Sequence, residues 1–183
     1  MQSDRIEIRL SGSGGQGLIT AGIILAEAAG VYEHKQATQS QSYGPEARGG
    51  ASKSEVIIST QDIDYPKVIQ PDILLAMTSL AKEKYLADLK PNGIAIIDST
   101  FVKETIAKPG VYSIPISKLA KEQTGKMITA NIVALGAIVA ITNIVSRKAV
   151  EQAVLARVPK GTEKLNIAAL RAGFNAGDAV LKS

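Results

Sequence analysis

Two short stretches carry the residue types and spacings best suited to chemistry. Gly12-Ser13-Gly14-Gly15-Gln16-Gly17 follows the run RIEIRL and satisfies G-x-G-x-x-G, the spacing of a dinucleotide-binding turn. Glycines there allow positive φ and close backbone approach. The helix expected after them presents unpaired N–H groups and a positive dipole end, a combination suited to phosphate or another anion. The second stretch, SYGPEARGG (42–50), packs a turn, a phenol and two charges between glycines. Tyr43 offers the phenol, Gly44-Pro45 the turn, Glu46 a carboxylate, and Arg48 a planar fork for carboxylate or phosphate, with Gly49-Gly50 as the exit.

A dinucleotide turn expects an acid about 20 residues on, at the end of the second strand, to hold the ribose. In KQATQSQSYGPEARGG, Glu33 precedes the candidate strand, and the strand itself carries only Gln, Thr and Ser among its polar residues. No G-K-[ST] follows, so the turn is not a phosphate loop of the Walker kind. Three uses remain open on residues alone: NAD or FAD, another ligand or partner contact, and tight packing of the first helix. Loop 42–50 is equally open. It reads as a solvated turn with a weak surface ion pair, or as a site at the carboxyl end of a strand, where open α/β sheets place ligands.

Other candidates are single residues. His34, the one histidine, reads as a donor or charge at the C-terminus of the first helix. Asp98 ends the run IAIID and reads as a cap or turn residue rather than an acid–base catalyst. Asn131 and Asn166, near the starts of C-terminal helices, read as caps or interface contacts. No residue is singled out as catalytic, and no metal site is expected.

Composition narrows the classes. The 183 residues include no cysteine, which excludes disulfides, thiolate zinc and cysteine-held iron–sulfur clusters in this chain. Net charge is +4 and aromatics are 4%, with no basic run interleaved with rings, so nucleic-acid binding is not expected. The N-terminus shows no basic-then-apolar leader pattern, and a cytoplasmic location is the expectation. Met127 to Ser146 carries no charge and approaches the length of a membrane span. Its Thr129, Asn131, Gly136, Thr142, Asn143 and Ser146 favour a core helix buried on several sides, so no membrane association is expected.

The elements that must position these residues alternate. RIEIRL (5–10), QATQSQ (36–41), SKSEVIIS (52–59), DILLAM (72–77), IAIIDS (94–99) and GVYSIPIS (110–117) read as strands. Leu18 to Val31 and SLAKEKYLADL (79–89) read as helices, the latter with Ser79 as N-cap. The pattern predicts one α/β domain over 1–183, three-layered and Rossmann-like. Its sheet is mostly parallel or mixed, with helices on both faces and a helical C-terminal third.

The ordered set of motifs resembles the gamma subunit of 2-oxoacid:ferredoxin oxidoreductases. The likeness runs from the G-S-G-G-Q-G turn through SYGPEARGG, SEVIIS, the proline in IDYPKV, PDILLAM, LKPNGIAIIDS and ANIVALGA to NIAALRAG. Each piece is weak and the ordered set is strong; the SYGPE-x-RGG form is most similar to the 2-oxoglutarate type. The resemblance implies a complex that oxidises a 2-oxoacid to its acyl-CoA and passes electrons to ferredoxin. Thiamine diphosphate and Mg2+ would lie between alpha and beta chains, with iron–sulfur clusters on partner chains. This chain would be catalytically silent, packed on alpha in a complex of alpha and beta, or alpha, beta and delta, partners, and would help to shape the coenzyme A path. No cofactor would be bound by it alone, and the isolated chain could homodimerise through its uncovered apolar surface. The alternative is a stand-alone NAD-linked oxidoreductase, or a nucleotide or coenzyme A module, built on the Gly12–Gly17 turn.

Overall fold

The computed structural model describes residues 5–41, 51–104 and 106–182. Six strands form one sheet: β1 (Arg5–Gly12), β2 (Gln36–Gln41), β3 (Ser52–Ser59), β4 (Ile73–Ala76), β5 (Ile94–Asp98) and β6 (Val111–Ile114). Their order is β2-β3-β1-β4-β5-β6. β1, β4, β5 and β6 run parallel, whereas β3 is antiparallel to both β1 and β2. The sheet is therefore mixed. β4 is buried along its whole length and β5 almost so, which is why DILLAM and IAIID read as continuous apolar runs rather than alternating ones.

The helices are α1 (Leu18–Glu27), α2 (Ser79–Tyr85), α3 (Ile116–Thr124), α4 (Ala130–Thr142), α5 (Arg147–Arg157) and α6 (Glu163–Val180). They lie on both faces but unequally. Ile8, Leu10, Val56, Ile73, Leu75 and Ile96 point into a large core shared with α1 and α3 to α6. Leu74, Ala76, Ala95 and Ile97 point the other way, against Ala81 and Tyr85 of α2.

α4 explains the long uncharged segment. Every residue from Ala130 to Ile141 is buried, because the helix is sandwiched between sheet and α6. Among the described residues no helix is long and apolar enough to cross a membrane. The α4–α6 contact depends on missing side chains: a Cβ at Gly136 would collide with the Leu170 carbonyl, and one at Gly173 with that of Val133.

The structure corrects three boundaries. α1 stops at Glu27 and passes into a π-helical turn, Ala28–Tyr32, instead of continuing to Val31. Thr78, not Ser79, caps α2; its hydroxyl accepts from Ala81 N–H at 3.2 Å. GVYSIPIS is only half strand, since α3 begins at Ile116 directly after Pro115.

Candidate functional site

β1 hands the chain to α1 at the carboxyl edge of the sheet. Its neighbour β4 leads to α2 on the opposite face. Connections that diverge from two adjacent parallel strands open a crevice, the usual ligand position in such sheets. The turn Gly12–Gly17 lies there, with Ser13, Gly14 and Gly15 exposed.

The turn is filled from within. The Gln16 Oε1 accepts the Ser13 N–H at 2.7 Å, and a Cβ on Gly12 would collide with that same oxygen. Gly12 is the first glycine of the motif, the one a tight turn needs, and the space its Cβ would take is occupied by the protein's own carboxamide. Gly17 has φ 72° and caps α1, with its carbonyl accepting from Asn131 Nδ2 at 3.1 Å. A Cβ on Gly17 would stand 2.6 Å from that nitrogen. The turn is thus bolted to the first turn of α4.

β2 argues against NAD independently. It carries Gln36, Thr38, Gln39, Ser40 and Gln41, with no acid for a ribose. Nor is it beside β1, because antiparallel β3 occupies that position. The stand-alone NAD reading is not favoured.

The second sequence-predicted site, Tyr43, Gly44, Pro45, Glu46, Arg48, Gly49 and Gly50, lies outside the described residues. Its flanks are described. β2 ends at Gln41 and β3 starts at Ser52, which pairs directly with Gly12 and donates its hydroxyl to the Gly12 carbonyl at 3.3 Å. Both motifs therefore leave the sheet from the same edge.

Below that edge lies a group of residues that the sequence reading had not singled out. Arg9, 4% exposed, donates to Glu55 at 2.8 Å and to Asp88 at 2.5 Å, and Lys53 donates to Glu55 at 3.0 Å. The Arg9 guanidinium lies 5.1 Å from the centre of the Tyr85 ring, and the Tyr85 hydroxyl meets the Ala51 carbonyl at 3.4 Å. This buried network fixes the first residues of β3, immediately after the 42–50 stretch. The available signal was the R-x-E-x-R alternation of β1, which places charges on one sheet face (period 2) without saying what covers them.

The single residues prove structural. Asp98, fully buried, accepts from the Ser117 hydroxyl at 2.6 Å and from the N–H groups of Ser117 and Thr100, joining β5 to α3. Asn166 turns back to Thr162 at the start of α6. His34 lies beyond the π-helical turn with φ 56° and an exposed side chain, so the chain reversal rather than a helix end defines its place. Its neighbour Glu33 accepts from the N–H of Ser146, the N-cap of α5, at 2.5 Å and pairs with Lys35 at 2.8 Å. Burial pushes the Glu33 carboxyl up, but bonds from Lys35 and Ser146 outweigh it, and the net direction is down. Among the described residues no group of three His, Cys, Asp or Glu could hold a metal ion.

The fold is a mixed six-stranded α/β sheet with a glycine turn between β1 and α1 at its carboxyl edge. The chain belongs to the pyruvate ferredoxin/flavodoxin oxidoreductase family, whose profile matches residues 7–176. It is 52% identical over 174 residues to 2-oxoglutarate synthase subunit KorC of Methanocaldococcus jannaschii, covering 93% of this chain and 92% of that one. Its structure is similar to the gamma subunit of a keto/oxoacid ferredoxin oxidoreductase from Geobacter sulfurreducens, with TM-score 0.87, 53% identity, and 96% and 98% of the two chains covered. The fold also recurs, at TM-score 0.81 and 23% identity, over all of this chain and 32% of a chain of 2-oxoglutarate:ferredoxin oxidoreductase from Magnetococcus marinus.

Proposed function

We propose that this chain is the gamma-type subunit of a 2-oxoglutarate:ferredoxin oxidoreductase. The complex converts 2-oxoglutarate and coenzyme A to succinyl-CoA and carbon dioxide, and two electrons leave to ferredoxin. The observation that carries the reading is the near-full-length identity to the KorC subunit. The chain supplies no chemistry of its own. Thiamine diphosphate, Mg2+ and iron–sulfur clusters belong to the partner chains, alpha and beta or alpha, beta and delta, in the cytoplasm.

The part we assign to the chain is the carboxyl edge of its sheet. Gly12, Ser13, Gly14, Gly15, Gln16 and Gly17, together with Tyr43, Gly44, Pro45, Glu46, Arg48, Gly49 and Gly50, face the coenzyme A path and the chain beside it. One feature supports this: Gly12 and Ser52 pair directly, so both motifs leave one edge. The Magnetococcus enzyme that shares the fold was solved with 2-oxoglutarate, coenzyme A and succinyl-CoA bound.

The test is anaerobic affinity purification of the tagged chain from its native cell. Thiamine-binding and cluster-bearing chains should co-purify, and recovery of the chain alone would refute the reading. Within that complex, Arg48→Ala should raise the apparent KM for coenzyme A while leaving that for 2-oxoglutarate unchanged.

A further inference from the structure

A cleft of about 650 Å3 runs between α3 and α6, away from the glycine turn. Leu119 from α3 and Ile167, Ala172 and Ala176 from α6 give it an apolar stripe, flanked by the amides of Gln123 and Asn175. Lys164 and Arg171 stand on its rim, and no acidic side chain lines it. The two cations are seven residues apart on α6, so about 10 Å along its axis and on one face. Among the described residues neither has a hydrogen-bond or ion-pair partner, so both head groups are open to carboxylates from outside the chain.

From this we infer that the α3–α6 groove docks an acidic amphipathic helix of a partner chain in the oxidoreductase complex. The inference rests on the subunit reading above. Small residues on the outer stripe of α6 let a helix approach closely, as Gly136 and Gly173 let α4 approach on the inner side. An apolar stripe seated on Leu119 and Ile167, with carboxylates two turns apart beside Lys164 and Arg171, satisfies the groove in the helix-in-groove manner. A second copy of this chain does not. A twofold contact centred on this face sets two groups of Lys164 and Arg171 against each other with no carboxylate in the lining between them, and like charges repel.

The test uses the tagged full chain purified anaerobically from its native cell, with and without a zero-length carbodiimide cross-linker that joins amines to carboxylates. The wild-type chain should recover the thiamine-binding and cluster-bearing chains, with Lys164 cross-linked to an Asp or Glu of one of them. Lys164→Glu/Arg171→Glu should recover about tenfold less partner at low salt, while Lys148→Glu on α5 recovers the wild-type amount. Full recovery by the double variant, or a Lys164 cross-link to a second copy of this chain, overturns the groove and leaves the subunit reading standing. A wild-type chain that recovers no partner overturns both.

Discussion

Asn131 reaches from the first turn of α4 to the carbonyl of Gly17, 114 residues earlier, and holds the N-cap of α1 at 3.1 Å. That bond makes the glycine turn part of the core rather than a free loop. Gly17→Ala meets both a positive φ and the Asn131 amide, and should destabilise by about 3 kcal/mol. Gly15→Ala, with φ +86° but open space around the new methyl, should cost about 1 kcal/mol. Asn131→Ala should cost about 1 kcal/mol, and it should relieve part of the Gly17→Ala penalty, because the two share one contact. Chemical denaturation of the four variants measures this; equal costs for Gly15 and Gly17 would contradict it.

The α4–α6 contact makes a sharper expectation. At Gly173 the obstacles are the Val133 carbonyl and the backbone of Ala137 and Gly136, none of which can rotate away. Gly173→Ala should therefore cost about 3 kcal/mol or more, read as a fall in the denaturation midpoint. Gly161→Ala, in open space but at φ +88°, is the control for backbone strain alone.

The buried network under β3 predicts coupling. Arg9→Met leaves Glu55 with only Lys53 and removes the partner of the half-exposed Asp88, and should cost about 2 kcal/mol. Adding Glu55→Gln should recover part of that loss, since it removes a buried carboxylate left with one partner instead of two. A double-mutant cycle followed by thermal unfolding reads this coupling; strict additivity would show that the ion pair contributes nothing.

Glu33 sets a pH dependence. Its folded carboxyl titrates below the usual carboxylate range, so the unfolded chain takes up the proton first as pH falls. The contribution is therefore complete above the ordinary carboxylate pKa of about 4.3 and is lost as pH drops through the lowered folded value. The stability gap between wild type and Glu33→Gln should be constant near neutrality and shrink on acidification below that point. A gap that widens in acid would reverse the assigned sign.

Strands and turn were legible because their signals are local. IAIID and DILLAM are continuous apolar runs buried on both faces, and the glycines of 12–17 could only mark a constrained strand-to-helix passage. The insertion of antiparallel β3 between β1 and β2 was not legible, because strand order depends on pairings across the chain that leave no mark in either segment. Gln16 was legible as part of a motif but not as the group that fills the turn. That role is set by the space beside Gly12, which only the assembled backbone defines. Asp98 gave a weak local signal, and its partner Ser117 became identifiable only once α3 was placed beside β5. Thr78 displaced Ser79 as cap because both hydroxyls suit the role and only backbone φ and ψ decide between them.

The measurement that tests the central claim most directly is reconstitution of the purified oxidoreductase with and without this chain under anaerobic conditions. Activity is followed as viologen reduction dependent on 2-oxoacid and coenzyme A. The account expects reduction with 2-oxoglutarate and coenzyme A only when this chain is present, less with pyruvate, and none from the chain alone. Full activity of the remaining chains without it, or pyruvate outrunning 2-oxoglutarate, would contradict the assignment.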